Sequence, residues 1–304
     1  AARSGRLAGI RAGRRLMPCV AIVGAGPAGL MAAERLVAVD GQEVLIFDAM
    51  PSPGRKFLMA GKGGMNITHA EPLADFAGRY GSRQAVIAPL LERFGPQQLR
   101  EWIHGLGIAT FVGTSGRVFP TGMKAAPLLR AWLHRLRQRG AQFHVRHRWL
   151  GWADDGALCF ATPDGETRIA VDATILALGG GSWAKLGSDG AWVPLLTARG
   201  IPVAPLKPAN CGFDVAWSAH FSERYAGQPV KPVVASVADR RQQGEFNITA
   251  GGIEGGLVYA LSAPLRDILE TTGYATLHLD LAPDRMRTLR RACRRSRRRR
   301  RCTP

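Results

Sequence analysis

Residues 19–29 of this chain read CVAIVGAGPAG, and this stretch decides the fold. A short apolar run leads into a Gly-x-Gly-x-x-Gly turn, after which apolar residues recur at helical spacing. A second apolar run, 44–47, ends at Asp48. Because strand, glycine turn, helix, strand and acid follow in this order, the stretch predicts a dinucleotide-binding unit rather than an ordinary glycine turn. Asp48 is expected to accept hydrogen bonds from the ribose hydroxyls of the adenosine.

Each glycine of this turn has a different expected role. Gly24 allows the tight turn, Gly26 lets the backbone approach a pyrophosphate, and Gly29 lets the helix pack close to the strand. The helix begins at Pro27 and Ala28, and its first turn offers free N–H groups to the phosphates. We therefore predict that these residues bind the cofactor.

The net charge of +18 is concentrated at the two ends of the chain. Residues 1–16 carry five arginines and residues 285–304 carry eleven, and neither segment contains an acid. Without these sixteen arginines the net charge falls from +18 to +2. A nearly neutral body argues against nucleic acid as a partner of the folded part.

Both basic ends are expected to lie outside the fold. Residues 1–16 could form an Arg-rich transit peptide, but translated sequence upstream of a start at Met17 is the preferred interpretation, because Met17 directly precedes the first strand. The tail 284–304 could bind nucleic acid. Its abrupt loss of periodicity favours a chain that is truncated, or leaves its reading frame, after about Arg287.

The cysteine pattern excludes several classes of protein. No two cysteines form a Cys-x-x-Cys pair, so the spacing fits neither a disulfide framework, nor a zinc site, nor a flavin-linked disulfide reductase. We therefore expect a reducing, cytoplasmic location and no bound metal. The five cysteines are Cys19, Cys159, Cys211, Cys293 and Cys302.

The hydropathy pattern predicts no membrane span. The most apolar stretch, 20–39, is interrupted by Pro27, Glu34 and Arg35, so it falls short of the length that a bilayer requires.

Two glycine-rich basic segments follow the second strand closely. Residues 53–56 read PGRK and residues 60–66 read AGKGGMN. Glycine lets a backbone lie against a planar ligand, and lysine and arginine supply positive charge near phosphates. A solvated basic loop is the alternative. The residues expected at the cofactor are Arg55, Lys56, Lys62, Gly63, Gly64 and Asn66.

The rest of the chain alternates between helical and strand-rich parts. Helical spacing predicts an insertion at about 74–140, and strands alternating with turns predict a β-meander over 143–171. The boundary between two domains is predicted near residue 190. The first domain then spans 17–190, and a strand-rich second domain, incomplete at its end, spans 191–283.

A buried strand at 173–176 is expected to return to the parallel sheet. It runs through Ala177 into Gly179 and Gly180. These residues are expected to let the backbone pass close to the cofactor.

Four blocks of the sequence resemble the BaiN/YhiN-like flavoproteins, which are NAD(P)- and FAD-dependent oxidoreductases. The blocks lie at 24–29, 53–68, 116–133 and 177–190. The resemblance implies an α/β protein: a Rossmann-like FAD-binding domain of the glutathione-reductase type with an inserted, strand-rich second domain. It also implies FAD as the tightly bound dinucleotide. The presence of a single complete dinucleotide unit agrees, so NAD(P)H, as a transient reductant, would dock without its own fingerprint.

The resemblance also implies positions around the cofactor. Arg55 and Lys56 would add charge at the pyrophosphate, and the backbone of 62–66 would follow the ribityl chain and the flavin ring. The strand near Trp149 would give adenine its backbone contacts. Many members carry Arg-Cys-Asn where this chain has GMN at 64–66, so their substrates are not transferred to it.

No catalytic residue is assigned from the sequence. Hydride delivery to a conjugated substrate usually needs a proton donor opposite the flavin. The candidates by position alone are His69, Lys62, Tyr259 and Glu254, and each is more often a structural residue.

The expected function is that of an FAD-dependent oxidoreductase that reduces a small organic molecule, with the oligomeric state left open. The alternatives are a truncated nucleotide-binding remnant without turnover and a flavin-dependent RNA-modifying protein. Family members close the flavin pocket with a glycine-rich strand–helix unit, which is absent after Leu281. Weak FAD binding is therefore expected.

Overall fold

The computed structural model describes residues 17–60 and 64–283. Within these ranges, no helix combines the length and apolar character needed to cross a membrane. The same residues contain no group of three or more His, Cys, Asp or Glu side chains placed to hold a metal ion. The predicted segments outside the described residues are the extension 1–16, the loop residues Gly61, Lys62 and Gly63, and the tail 284–304.

The described residues divide into two compact units, with the division between Ala204 and Pro205. The division therefore falls later than the predicted boundary near residue 190. The strands of the first unit are β1 (Cys19–Val23), β2 (Glu43–Asp48), β3 (Thr68–His69), β4 (Thr110–Val112), β5 (Arg117–Pro120), β6 (Gln142–Val145), β7 (Arg148–Trp152), β8 (Leu158–Thr162), β9 (Gly165–Ile169) and β10 (Ala173–Leu176). Its α-helices are α1 (Pro27–Leu36), α2 (Arg55–Met59), α3 (Leu73–Gly78), α4 (Gln84–Arg93), α5 (Pro96–His104), α6 (Ala125–Gln138) and α7 (Val193–Thr197).

The first unit is built on a four-stranded parallel sheet in the order β10-β1-β2-β6. Val23, at the end of β1, lies beside Phe47 on one side and Leu176 on the other. The carboxyl ends of three strands therefore meet beside the glycine turn, where parallel sheets bind their ligands. This arrangement confirms the predicted α/β class with a Rossmann-like first domain.

Helix α1 packs tightly on this sheet. A Cβ at Gly29 would lie 1.8 Å from the carbonyl oxygen of Gly24, so only glycine permits this approach. Leu30 is fully buried against the sheet. At the far end of the helix, Glu34 forms an ion pair with Arg135 of α6 at 3.0 Å. Helix α1 is thus held by the sheet on one face and by α6 near its end.

Two smaller antiparallel sheets complete the first unit. Strands β7, β8 and β9 form the predicted meander. Strands β3, β5 and β4 form a second sheet, in that order; β4 and β5 lie within the predicted helical insertion, and β3 lies just before it. The sequence indicates only one short extended piece in the insertion, at 116–120, because two-residue and three-residue strands carry too few side chains to show an alternating pattern.

The second unit is strand-rich, as predicted. Its strands are β11 (Phe213–Asp214), β12 (Pro229–Val237), β13 (Arg240–Thr249), β14 (Gly252–Glu254) and β15 (His278–Asp280), and its helices are α8 (Ala219–Tyr225), α9 (Gly256–Ala260) and α10 (Ser262–Thr272). The strands form one antiparallel sheet in the order β11-β14-β13-β12-β15. Val233 and Ala235 of β12 and Val258 of α9 are fully buried in its core.

Candidate functional site

The glycine turn between β1 and α1 is fixed from both sides. Gly24 has a φ of +108°, and a Cβ there would lie 2.2 Å from the carbonyl oxygen of Ala177, which follows β10. The Gly24 N–H donates to the carbonyl of Phe47 on β2 at 2.7 Å. Position 24 therefore accepts only glycine, and Ala177 is brought against the turn.

Gly26 lies in a different environment from its two neighbouring glycines. Its φ of −78° suits any residue, and in the described part of the chain no atom lies within 4 Å of where its Cβ would be. Internal packing does not require glycine here. The missing side chain leaves an open cradle on the backbone, which is the form that a closely bound pyrophosphate needs.

The N-terminus of α1 opens onto this cradle. Pro27 is the first helical residue, and the first bond of the helix runs from Leu30 N–H to the carbonyl of Gly26 at 2.9 Å. The N–H groups of Ala28 and Gly29 precede that bond, so they have no partner in the helix ladder. Together with the helix dipole, they form an anion-binding end.

Asp48 lies at the end of β2 and holds the glycine turn in place. One carboxylate oxygen accepts the Ala25 N–H and the other accepts the Met50 N–H, both at 2.8 Å. Burial raises the pKa of Asp48, and these two bonds and the charge of Arg55 only partly oppose that effect. Each oxygen keeps a second lone pair, so the carboxylate can still accept a ribose hydroxyl.

A cavity of about 230 Å³ lies beside Asp48. Pockets for drug-sized ligands span roughly 300–1,000 Å³, so this cavity suits part of a dinucleotide rather than the whole. Residues that follow β1, β2 and β10 contribute to its wall together with β7. Its lining includes Gly24, Asp48, His147, Trp149, Asp189 and Trp192.

Two tryptophans of this cavity carry unsatisfied polar atoms. The indole N–H groups of Trp149 and Trp192 are buried and have no hydrogen-bond partner among the residues described. Trp149 itself, predicted at the adenine, is 7% exposed and lies on β7. Buried polar groups normally find partners, so these donors suit a ligand with acceptor atoms, such as a purine.

The sequence did not reveal two of the residues that line this cavity. Arg148 and Asp189 both line it and form an ion pair at 2.9 Å. Asp189 lies within the family-like block 177–190, so the block marked its segment but not its role. The partnership joins residues 41 positions apart, which no local pattern reveals.

Lys56 and the glycines after β10 are brought close together. The Lys56 ammonium donates to the hydroxyl of Ser182 at 2.7 Å and lies 3.4 Å from that of Ser188. The Ser188 hydroxyl in turn donates to the carbonyl of Gly180 at 3.0 Å. A Cβ at Gly179 would approach that same hydroxyl at 3.7 Å. The predicted residues Lys56, Gly179 and Gly180 therefore share one cluster.

Arg55 approaches the same region from the start of α2. Its charge acts on Asp48, and its Nε is buried without a hydrogen-bond partner within 17–60 and 64–283. An unsatisfied guanidinium nitrogen next to an anion-binding helix end fits the predicted phosphate role.

The described end of the second glycine-rich loop is hydrogen-bonded beside the small sheet formed by β3, β5 and β4. Met65 N–H donates to the carbonyl of Met123 at 2.9 Å, and Ile67 N–H donates to that of Val118 at 2.8 Å. Gly64 has a φ of +106°, and Asn66 is exposed. Neither of these two residues lines the cavity beside Asp48. Lys62 and Gly63 lie outside the described residues.

The candidate proton donors differ in their surroundings. Nδ1 of His69 accepts the Glu71 N–H at 3.2 Å, and Nε2 lies 3.0 Å from the carbonyl of Ser115. Both ring nitrogens are thus engaged by the backbone, which supports a structural role. Glu254 and Tyr259 belong to the second unit, where both are exposed.

The residues present fit the ADP half of a dinucleotide. The open backbone at Gly26, the free N–H groups of Ala28 and Gly29, the acid Asp48 and the unsatisfied donor on Trp149 are all gathered at one edge of the parallel sheet. The arrangement can bind a pyrophosphate and an adenosine in defined positions.

Comparison with known proteins identifies one family and one curated relative. The family described as "HI0933-like protein Rossmann domain" matches residues 18–261. A 3-dehydro-bile acid delta(4,6)-reductase from Clostridium scindens is 28% identical over 272 residues. That match covers 87% of this chain and 64% of the relative, so the chain spans about two thirds of the relative's length.

Two solved structures are similar at low identity. A 3-ketosteroid-delta4-(5alpha)-dehydrogenase from Rhodococcus jostii, in complex with 4-androstene-3,17-dione, is 13% identical, with a TM-score of 0.41 over 57% of this chain and 48% of that one. THI4 from Thermovibrio ammonificans is 18% identical, with a TM-score of 0.39 over 81% of this chain and 79% of that one.

Proposed function

Because the chain belongs to the HI0933-like family, a family of flavin-dependent oxidoreductases, we propose that it binds FAD through its first unit. We further propose that NAD(P)H supplies the electrons for reduction of a small organic substrate by hydride transfer. The observation that carries the proposal is the open backbone at Gly26, where no atom of the described chain lies within 4 Å of a Cβ position.

The residues around this cradle would bind and orient the dinucleotide. The N–H groups of Ala28 and Gly29 would hold the pyrophosphate, and Arg55 would add positive charge beside it. Asp48 would accept the ribose hydroxyls with the lone pairs that its two backbone bonds leave free. Trp149 would close one side of the cavity beside Asp48, which we call the adenosine cavity because the adenosine would lie there. FAD supplies the redox chemistry when it is bound.

The loop that contains Gly64 and Asn66 would face the ribityl chain and the flavin ring. Its backbone bonds to Met123 and Val118 hold it on the small sheet, so its position is set by the first unit alone. Asn66 is exposed and able to donate and accept hydrogen bonds. Lys62 and Gly63 belong to the same proposal.

The substrate class remains broad in this proposal. The Clostridium scindens relative is a 3-dehydro-bile acid delta(4,6)-reductase by name, and this chain covers 64% of its length. From the family we therefore propose only one property for this chain, the reduction of a small organic molecule. We also propose that the protein is located in the reducing cytoplasm. Its folded part, without the two basic ends, would have no nucleic-acid partner.

Anaerobic reduction of bound flavin tests this function. The full chain, reconstituted with FAD and freed of excess cofactor, should keep at least part of the flavin, in keeping with the weak binding expected from the sequence. The bound flavin should lose its absorbance on addition of NADH or NADPH. Gly26→Ala should fold normally yet retain less FAD, because its methyl group would occupy the cradle. Gly78→Ala is the matched control, since its Cβ position on α3 is equally open. Loss of all flavin from the wild-type chain would contradict FAD binding. Retained flavin that neither nucleotide reduces would contradict the NAD(P)H part.

A further inference from the structure

An irregular segment between β10 and α7 reaches the adenosine cavity of the first unit. We call residues 181–189 the strap; it follows β10 and precedes α7. The strap closes on itself, because Trp183 N–H donates to the Ser188 carbonyl at 3.0 Å and Ser188 N–H donates to the Trp183 carbonyl at 3.1 Å. Gly187 and Asp189, near its end, line the cavity.

The base of the strap rests on α2 and on the end of β2. Lys56 donates to Ser182 at 2.7 Å, and Ser188, only 5% exposed, donates to the Gly180 carbonyl. A Cβ at Gly187 would lie 2.7 Å from Cγ of Met50. These contacts fix residues 182, 187 and 188. Asp189, which directly follows them, joins the strap to β7 on the other wall of the cavity.

Arg148 of β7 binds this last residue of the strap, Asp189. Its guanidinium donates to one carboxylate oxygen of Asp189 at 2.9 Å, and the Ala191 N–H donates to the other at 3.1 Å. Burial acts to raise the pKa of Asp189, but the bonds from Ala191 and Arg148 outweigh it and lower that pKa. Asp189 is thus ionised at neutral pH, and its carboxylate is oriented toward Arg148.

The ion pair joins two walls of the same cavity. Arg148 belongs to β7, the strand that also carries Trp149, while Asp189 belongs to the strap. The side chains are 50% and 26% exposed, respectively. A pair this exposed is weak, so it opens readily, and salt screens it.

We propose that the Arg148–Asp189 ion pair is a latch that holds the strap against the adenosine cavity and slows release of the bound dinucleotide. The proposal rests on the proposed function for the identity of that ligand. Arg148 and Asp189 are positioning residues here: they act on the strap and need not touch the nucleotide.

Dissociation of FAD from the immobilised full chain, followed by surface plasmon resonance, tests the latch. Arg148→Gln and Asp189→Asn should each release FAD about two- to fivefold faster, as expected for loss of an exposed pair. The charge-swapped double variant R148D/D189R should return to within about twofold of wild type. Added NaCl should accelerate release more in wild type than in Arg148→Gln, because only wild type also loses the ion pair to screening. Arg168→Gln, an exposed arginine on β9, is the matched control and should leave the rate unchanged.

Amide hydrogen exchange on the nucleotide-free chain supplies a second readout. Exchange over residues 181–189 should rise in Arg148→Gln and return to the wild-type level in the swapped variant. Wild-type rates of both exchange and FAD release in Arg148→Gln would overturn the latch. A wild-type chain that binds no FAD would contradict the proposed function instead, and exchange over the strap would still decide whether the latch exists.

Discussion

Gly24 and Gly64 lie in the two glycine loops of the first unit, and their φ angles are nearly the same. Their φ values are +108° and +106°. A Cβ at Gly24 would meet the backbone carbonyl of Ala177 at 2.2 Å, whereas one at Gly64 would meet the terminal methyl of Met123 at 2.6 Å. The first obstacle is a rigid strand end, and the second is the tip of a flexible side chain.

The contrast separates two kinds of cofactor loop. The first loop is built into the sheet, because the Gly24 N–H donates to the carbonyl of Phe47 and the Asp48 carboxylate accepts the Ala25 N–H. The second loop is attached to a small sheet and leaves Asn66 exposed. The chain therefore has one glycine loop that is built into the sheet and one that is held more loosely. Under the proposed function, the first would bind the ADP half of the dinucleotide and the second would face the other half.

Replacing each loop glycine by alanine is the strongest way to break this contrast. Both variants carry the strain of a positive φ, about 1–2 kcal/mol. Gly24→Ala adds a clash with the backbone, so we expect a loss of more than about 5 kcal/mol in unfolding free energy, or failure to fold. Gly64→Ala should lose only about 1–2 kcal/mol. Chemical denaturation measures both, and equal losses would show that the two loops are equally rigid.

The next largest effect concerns Glu34, which anchors α1, the helix that follows the first glycine loop. Glu34 is 8% exposed and pairs with Arg135 at 3.0 Å and with Arg139 at 3.3 Å. Glu34→Ala should cost about 3–5 kcal/mol, because it removes the partner of the largely buried Arg135 and of the buried indole N–H of Trp132. Glu92→Ala, on the exposed face of α4, is the control and should stay within about 0.5 kcal/mol of wild type. A loss under about 1 kcal/mol in Glu34→Ala would argue against this anchor.

A smaller effect should appear as pH dependence beside the first loop. His144 of β6 stacks on Phe47 at 4.8 Å, and burial, aided by the charge of His147, lowers its pKa below the usual 6.5. The unfolded chain therefore takes up the proton at a higher pH than the folded one does, and stability should fall as pH drops through 6.5.

Denaturation curves at neutral and mildly acidic pH measure this dependence. Replacing His144 by Phe should weaken this dependence. Replacing the exposed His134 by Gln should leave it as in wild type. An unchanged pH profile in His144→Phe would assign the dependence to other groups.

The smallest effect is expected at Asn66 and separates the two halves of the site. Asn66→Ala should leave the ADP affinity within about twofold of wild type, because Asn66 does not line the adenosine cavity. The FAD affinity should fall about fivefold, the value of one hydrogen bond. Calorimetric titration with each ligand measures both affinities. An equal fall for ADP and FAD would contradict the separation.

The sequence predicts the parts of this site that depend on local order. The strand–turn–helix–strand–acid arrangement and the family resemblance are confirmed, because glycine spacing and strand patterning are local properties. The cofactor-binding residues remain predictions. Asp48 also has a second role, binding the Ala25 N–H, which requires knowing how the end of β2 approaches the turn.

Contacts between distant segments could not be predicted in the same way. Lys56 is 126 residues from Ser182, and Arg148 is 41 residues from Asp189. One sequence shows which side chains carry charge but not which strand ends meet. The sequence therefore predicts Lys56 at a phosphate but gives no sign of its contacts with the hydroxyl groups of the strap.

Titration of the full chain with ADP tests the central claim most directly. ADP contains the pyrophosphate and adenosine but no flavin, so it probes the first loop alone. The wild-type chain and Gly78→Ala should bind ADP with equal affinity, whereas Gly26→Ala should bind at least about tenfold more weakly with unchanged stability. Equal ADP binding by Gly26→Ala, or none by the wild-type chain, would contradict the dinucleotide site.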